Sequence, residues 1–106
     1  MYTYKAIIVS VYDGDTVTAD VDLGFEVWLK GQKLRLLNID TPEVRGKEKA
    51  EGIVSRDALR ARILGKEVKV KSSGKGKYGR WLVEIFLDDE NINNWLLAEG
   101  LAKPYK

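Results

Sequence analysis

Apolar and polar residues alternate in several short stretches of the chain, which is the pattern of strands with one buried face. Tyr4 to Val11 is rich in β-branched and aromatic residues. In the next stretch Val17, Ala19 and Val21 alternate with threonine and aspartate. The dipeptide Asp13-Gly14 between the two stretches is typical of a hairpin turn. The chain is therefore predicted to begin with a β-hairpin.

The remaining elements are predicted from changes in the spacing of apolar residues along the chain and from the glycines that interrupt this spacing. The predicted elements are a strand region over 25–39 broken at 30–32, a helix over 48–64, strands over 66–71 and 81–87 with a loop at 72–79, and a short helix over 92–99 capped by residues 88–91. The first helix is predicted to bury a stripe of apolar residues at helical spacing: Ala50, Ile53, Val54, Ala58, Ala61 and Leu64.

This order of elements indicates a fold class. Three strands, a helix, two strands and a terminal helix match a β-rich α+β fold, the five-stranded Greek-key barrel called the OB-fold, with a helix after strand 3 and a short C-terminal helix. The 106 residues fit one domain over 1–106. A generic α+β sandwich is the alternative.

The composition excludes several kinds of chemistry. The chain has no cysteine and no histidine, so thiolate zinc sites, cysteine nucleophiles and an imidazole base are excluded. Acid–base chemistry is left to Asp, Glu, Lys, Arg, Tyr or Thr. A bound metal would meet mostly oxygen ligands, which favours a hard cation such as Ca²⁺ or Mg²⁺.

Hydrophobicity along the chain bears on location. No apolar run approaches the roughly 20 residues that span a bilayer, so no membrane partner is expected. The N-terminus reads as a strand and lacks the layout of a signal peptide. We therefore expect the chain as given to be cytoplasmic, or to be a trimmed part of a longer, secreted precursor.

Positive charge is concentrated in one part of the chain, although the net charge is only +2. Residues 66–80 carry six basic residues and one acid, Glu67. Such a stretch suits a polyanion such as nucleic acid, and it is equally typical of a solvated face.

Three short segments hold most of the candidate chemistry: Asp13–Thr16, Arg35–Glu43 and Lys77–Arg80. Each lies at a strand end or in a loop, and each alone has a plain interpretation as a turn. Those interpretations leave two residues unexplained. A hairpin turn places no demand on Asp15, and Arg35 interrupts an otherwise apolar strand, where an arginine needs a partner or solvent.

Taken together, the three segments fit phosphodiester hydrolysis. Arg35 and Arg80 could grip phosphate oxygens through their planar, permanently charged forks. A hard metal held by Asp15 and Asp40 would polarise the phosphate and orient a water molecule. Glu43, fixed beyond Pro42 at the end of the same strand, could be the general base in a chain without histidine.

The combination DGDT, RLLNIDTPE and KYGR resembles the staphylococcal nuclease (thermonuclease) family over nearly the whole chain. The resemblance implies an OB-fold barrel and a Ca²⁺-dependent nuclease that cleaves DNA and RNA and leaves 3′-phosphates. It also implies roles for nine residues. These are Asp15, Asp40 and the Thr41 carbonyl as metal ligands; Arg35, Glu43 and Arg80 as catalytic residues; and Lys77, Tyr78 and Tyr105 at the nucleotide.

The sequence departs from the family pattern in two places. "DLGF" and "WLKGQKLRLL" form a longer hairpin than the minimal one, and the sequence given stops at Lys106, ahead of the further C-terminal helix of well-known members. Two other functions remain open. They are a non-catalytic OB-fold nucleic-acid-binding module and a structural or protein-interaction domain. Degenerate family members lose the carboxylates and arginines, whereas this chain keeps them, which favours the nuclease. Single-stranded DNA and RNA are the expected partners, and the sequence leaves the oligomeric state open.

Overall fold

The computed structural model describes residues 2–76 and 78–105, and Met1, Lys77 and Lys106 lie outside it. In these ranges the strands are β1 (Tyr2–Asp13), β2 (Thr16–Asp22), β3 (Trp28–Leu36), β4 (Ile39–Asp40), β5 (Glu67–Lys75), β6 (Trp81–Leu87), β7 (Glu90–Asn91) and β8 (Lys103–Pro104). The helices are α1 (Lys49–Ile63), preceded by a 3₁₀ turn at Gly46–Glu48, and α2 (Ile92–Ala98). None of the helical segments in the described ranges has the length and apolarity to cross a bilayer.

Five of the strands form a barrel. Antiparallel neighbours run in the order β3-β2-β1-β5-β6, and the sheet closes because β3 pairs in parallel with β6. The closing register places Leu34 opposite Trp81, Arg35 opposite Leu82, and Leu36 opposite Val83. The predicted OB-fold, with a helix after the third barrel strand and a short C-terminal helix, is confirmed.

The barrel interior is filled by the alternate apolar residues that the strand patterns predict. Leu34 and Leu36 are buried on either side of a half-buried Arg35, as a period of two requires. The largest fully buried side chains come from the strands and from both helices: Ile8, Val17, Leu34, Leu36, Ile39, Leu59, Ile63, Val83, Ile85, Ile92 and Leu96. One core therefore joins the barrel and the helices.

The buried face predicted for the first helix is wrong. The residues of α1 that are buried are Gly52, Ser55, Leu59 and Ile63. Val54, a central member of the predicted stripe, is 59% exposed, and Leu64 lies beyond the end of the helix. The extent of the helix is confirmed to within a residue at each end.

Close packing explains why a glycine and a serine face the core. A Cβ at Gly52 would lie 2.0 Å from the carbonyl oxygen of Glu43, so only glycine lets the helix approach that loop. The Ser55 hydroxyl donates to the carbonyl of Leu101 at 2.7 Å. The small polar residues of α1 therefore fix the loop and the C-terminal segment against the helix.

Two regions that the glycines predicted as irregular belong wholly or partly to strands in the structure. β3 runs through the predicted break at 30–32, where a register shift between Ala19 and Val21 of β2 absorbs the extra residue. β5 continues to Lys75, four residues into the predicted loop. In these two strands a glycine marks an irregularity in the pairing and does not end the strand.

Asn93 of α2 holds the seam where the barrel closes. Its side chain is buried, and its Nδ2 donates to the carbonyls of Leu37 and Val83, both at 3.0 Å. Its Oδ1 accepts from the amide of Ile85 at 3.2 Å. Because Leu37 follows β3 and Val83 lies in β6, this one amide ties both closing strands to the helix.

Asn93→Leu should lower the free energy of unfolding by about 2 kcal/mol or more, because it leaves buried backbone groups without partners. Denaturant titration measures the loss. Asn94→Leu is the matched control, since Asn94 is exposed and uses only its backbone amide in the helix cap. Equal effects of the two substitutions would contradict the role given to Asn93.

Candidate functional site

The turn between β1 and β2 buries two carboxylates. The Asp15 amide donates to Asp13 Oδ1 at 3.1 Å, and the Thr16 hydroxyl donates to Asp15 Oδ1 at 3.1 Å. The other oxygen of Asp15 accepts from the Thr41 amide, also at 3.1 Å. Asp15 is therefore held from both sides, by its own turn and by the segment after β4.

This turn lies directly against Thr41. A Cβ at Gly14 would lie 2.7 Å from Thr41 Cγ2, so glycine is what permits the contact. The Asp15 carbonyl also accepts from the amide of Leu36 at 2.8 Å. The Thr41 hydroxyl is buried and has no hydrogen-bond partner among the described residues. These contacts join the DGDT turn to the end of the RLLNIDTPE segment.

Arg35 stands between the two predicted metal-binding carboxylates. Its Nη1 donates to the carbonyls of Leu36 and Ile39 at 2.8 and 2.9 Å, which fixes the guanidinium. Its Nη2 lies 3.5 Å from Asp15 Oδ2 and 3.7 Å from Asp40 Oδ1. The two carboxylates thus converge on one cationic group.

The donors around this point suit a hard cation. Within the described ranges, no group of three or more Asp, Glu, His or Cys side chains is arranged to hold a metal. Asp15 and Asp40 would therefore need the Thr41 carbonyl, water and substrate oxygens to complete a shell. The buried, unpartnered hydroxyl of Thr41 adds another oxygen next to Asp15. All of these donors are oxygen atoms, which is the type of ligand that Ca²⁺ takes in proteins.

An open pocket of about 330 Å³ gathers both arginines and both predicted tyrosines. The Arg35 guanidinium lies 5.4 Å from the ring centre of Tyr105, and that of Arg80 lies 5.5 Å from the ring centre of Tyr78. Arg80 Nη1 also approaches the Thr16 hydroxyl at 3.4 Å, which places it next to the DGDT turn. Both tyrosine rings are largely exposed, so their faces can receive a ligand.

Glu43 lies apart from the other predicted residues. It is exposed in the loop after β4, and its amide donates to Glu48 Oε1 at 3.4 Å. Among the described residues, its carboxylate makes no hydrogen bond or ion pair with Arg35, Asp15 or Asp40. The role of Glu43 as a base stays a prediction.

The structure brings together seven of the nine predicted site residues: Asp15, Arg35, Asp40, Thr41, Tyr78, Arg80 and Tyr105. Lys77, predicted to contact the nucleotide, lies outside the described residues. Two contributors were not predicted, Asp13 and Thr16, both within the DGDT motif. Their positions on either side of Asp15 can be read from the sequence, but an exposed hairpin turn accounts for these residues equally well.

The pKa of the Asp13 carboxyl is far above its usual value. Burial raises the pKa of Asp13, and the side-chain hydrogen bond and negative charge of Asp15 raise it further, from 3.8 to about 7. Hydrogen bonds from the Asp15 amide and from Thr16 act in the opposite direction and are outweighed. The turn therefore binds a proton that the unfolded chain releases at lower pH.

This shift predicts how stability depends on pH in metal-free buffer. Because the folded pKa lies above the unfolded value, the stability contributed by the Asp13 proton is fully present below pH 3.8 and is lost as pH rises through about 7. Asp13→Asn keeps an acceptor for the Asp15 amide and should raise the Tm at pH 8 with little change at pH 4. Thermal unfolding in a chelating buffer measures both.

Asp22→Asn is the matched control for that experiment, because it also keeps an oxygen acceptor for a turn amide, that of Gly24. It should leave the difference in Tm between pH 4 and pH 8 as in the parent chain. A parallel pH profile for Asp13→Asn and the parent would contradict the assigned shift.

Comparison with known proteins identifies the family of this chain. The sequence model of the family described as "Staphylococcal nuclease homologue" matches residues 33–106. The chain is 33% identical over 99 residues to an "Uncharacterized endonuclease" of Haemophilus influenzae, covering 93% of this chain and 51% of that protein. It is also 33% identical over 106 residues to a "Thermonuclease" of Staphylococcus hyicus, covering 95% and 58%.

A third relative, an "Uncharacterized endonuclease" of Escherichia coli O157:H7, is 33% identical over 100 residues, with 93% of this chain and 60% of the relative covered. The chain thus spans between about half and three fifths of the length of these relatives. The family match covers β6, α2 and every lining residue of the pocket, including both arginines, and it begins after Asp15. The chain belongs to the family of staphylococcal nuclease homologues.

Proposed function

We propose that this chain is a nuclease, a metal-dependent phosphodiesterase that hydrolyses DNA and RNA without sequence preference. The observation that carries the proposal is the approach of Asp15 and Asp40 to Arg35, which lines one pocket together with Arg80. Phosphate needs positive charge, and a hydrolytic water needs an oxygen-bound cation and a base. The two arginines meet the first need, and Asp15 and Asp40 next to Arg35 are the carboxylates that could hold the cation.

The two arginines are the proposed phosphate clamp. Arg35 is already oriented by two backbone carbonyls, so it loses little freedom when it binds an anion. Arg80 is held more weakly, by a long contact to the Thr16 hydroxyl and by the exposed ring of Tyr78, so it can turn toward a ligand. A planar guanidinium on each side of the pocket matches the tetrahedral spread of phosphate oxygens and stabilises the charge that develops in the transition state.

Asp15, Asp40 and the carbonyl of Thr41 are the proposed ligands of Ca²⁺. When bound, such a cation would act as a Lewis acid on the phosphate and would orient the attacking water. The contribution of the chain itself to cation binding is the placement of the two carboxylates. The Thr41 amide and Thr16 hydroxyl hold Asp15 rigidly, whereas Asp40 is exposed and adjustable.

Glu43 is the proposed general base. The chain has no histidine, and the family resemblance assigns this role to a carboxylate three residues after Asp40. Gly52 presses the Glu43 backbone against α1, which limits how far the loop can move. By resemblance to the family, we infer that cleavage on the 5′-oxygen side leaves 3′-phosphate products.

Tyr78 and Tyr105 are the proposed base platforms. An exposed ring beside each arginine lets a base stack while its phosphate meets a guanidinium, and stacking does not discriminate between bases. We therefore propose single-stranded DNA and RNA as the preferred substrates. The relatives named thermonuclease and endonuclease support a nucleic-acid substrate.

A non-catalytic nucleic-acid-binding module is the second candidate. It is favoured by one observation: the arginines and tyrosines of the pocket are assembled, whereas Glu43 lies apart from them. The two functions differ in whether bound nucleic acid is cut.

Cleavage of single-stranded DNA and RNA should require Ca²⁺. Purified chain should digest both substrates with Ca²⁺, stop when a chelator is added, and resume when Ca²⁺ is restored. Gel analysis and end-labelling of the products measure rate and phosphate position. Unchanged digestion in chelator would contradict the roles of Asp15 and Asp40. Binding without any cleavage would establish the second candidate.

Three substitutions should give three separable defects. Glu43→Gln removes the base and should lower the cleavage rate by about 10²–10⁴ while nucleotide binding persists. Arg80→Ala should weaken both turnover and the binding of a 3′,5′-bisphosphate nucleotide. Asp15→Ala should reduce Ca²⁺ affinity first. Calorimetry beside a cleavage assay distinguishes these outcomes.

Glu67→Gln is the matched control for Glu43→Gln, because Glu67 is exposed on β5 and does not line the pocket. It should leave cleavage unchanged. A normal rate in Glu43→Gln would remove Glu43 from the mechanism and would leave the phosphate clamp and metal ligands to be tested by the other two variants.

A further inference from the structure

The turn between β2 and β3 carries a phenylalanine in an unfavourable place. Backbone hydrogen bonds between Leu23 and Val27 and between Val27 and Gly24 close the turn at 2.8 and 2.9 Å. Gly24, Phe25 and Glu26 all have positive φ, of 84°, 56° and 63°. The side chain of Phe25 is 100% exposed. A bulky residue is a rare choice for left-handed backbone, where glycine or asparagine is favoured.

Neither the backbone nor the packing of this chain accounts for that phenylalanine. It fills no space in the core, and its conformation is strained. Its neighbours are also apolar and exposed, since Tyr2, Leu23, Val27 and Leu29 each expose more than a third of their surface. We call Tyr2, Leu23, Phe25, Val27 and Leu29 the hairpin patch. Exposed apolar residues grouped on one turn and on strand ends near it are typical of an interaction site.

An apolar cavity opens beside the hairpin patch. Its volume is about 150 Å³, and Leu23 and Leu29 of the patch belong to its lining, together with Tyr4, Val70 and Trp81. An apolar space of roughly 150 Å³ is known to admit a benzene molecule, so one phenylalanine ring matches its size. The cavity and the Phe25 ring are therefore complementary, and they lie on one hairpin.

Charge indicates which partner the patch receives. Asp22 and Glu26 lie beside the apolar residues of the hairpin tip, Lys5 lies opposite Asp22 in the pairing of β1 with β2, and Lys30 Nζ is 3.5 Å from Asp20 Oδ2. Glu26 forms no ion pair with a described residue, so its charge disfavours nucleic acid or anionic lipid at the tip. The cavity, in contrast, is flanked by a cation.

That cation is Lys75, whose Nζ lies 5.0 Å above the ring of Trp81. Lys75 makes no ion pair with any described residue. An acidic, aromatic tip and a basic, ring-sized cavity on the same chain are the two halves of a self-complementary surface.

We propose that the hairpin patch is a dimerisation surface for a second copy of this chain. In a two-fold arrangement the Phe25 ring of each copy enters the apolar cavity of the other, and each Glu26 faces the partner's cavity rim. Such reciprocal contact is the isologous geometry of most homodimers. The cavity shares no lining residue with the pocket of Arg35 and Arg80, so both substrate sites stay open.

Sedimentation equilibrium tests the proposal. The parent chain, of 12.0 kDa, should shift to twice that mass with rising concentration. Phe25→Asn suits the left-handed turn but removes both inserted rings, and it should raise the dimer Kd by at least about 100-fold. Val54→Asn, at an exposed apolar position of α1, is the control and should dimerise as the parent does. A parent chain that stays monomeric at millimolar concentration overturns the proposal.

Disulfide trapping tests the geometry, because the chain has no cysteine of its own. Ser72 lines the cavity, so a mixture of Phe25→Cys and Ser72→Cys chains should oxidise mainly to the mixed dimer. Predominance of the Phe25→Cys homodimer would indicate contact between two tips and overturn tip-to-cavity insertion. If Phe25→Asn weakens binding to single-stranded DNA or to anionic vesicles and leaves self-association unchanged, the patch belongs to that ligand and the proposal fails.

Discussion

The parallel pairing of β3 with β6 is the contact on which the rest of this structure depends. It closes the barrel and places Arg35 opposite Leu82, two residues after Arg80, although the two arginines are far apart in the chain. Asn93 holds the same seam through the carbonyls of Leu37 and Val83. Because parallel strands need a long connection, α1, β5 and their loops must fold correctly before the two arginines share a pocket. The proposed phosphate clamp is thus a product of the whole topology.

The charges of the site are arranged around Arg35. Backbone carbonyls fix one side of its guanidinium, while Asp15 and Asp40 approach the other. The cation offsets the cost of burying Asp15 next to Asp13, and the proton on Asp13 removes part of the remaining repulsion. Groups held in this way need little rearrangement when an anion arrives, which is the condition for electrostatic stabilisation of a transition state.

The period of two along β6 separates the two cavities of the molecule. Leu82 lines the pocket of the arginines, whereas its neighbours Trp81 and Val83 line the apolar cavity beside the β2–β3 turn. One strand therefore serves a charged, aromatic site with one face and an apolar site with the other. This division lets the proposed catalytic and dimerisation surfaces be changed independently by substitution.

The sequence by itself determined the order of the barrel strands and helices and the buried alternation of the strands, because these depend on local period. It also identified the two pocket arginines from their chemistry and, through resemblance to the family, the two pocket tyrosines. Only the tertiary structure decided which face of α1 is buried. There the approach of the Glu43 loop requires Gly52, a demand that no periodicity of apolar residues reveals. It also decided the acidity of Asp13 and the continuity of β3 past Gly31. Burial, close contact and strand pairing are made by residues distant in the chain, so local patterns cannot specify them.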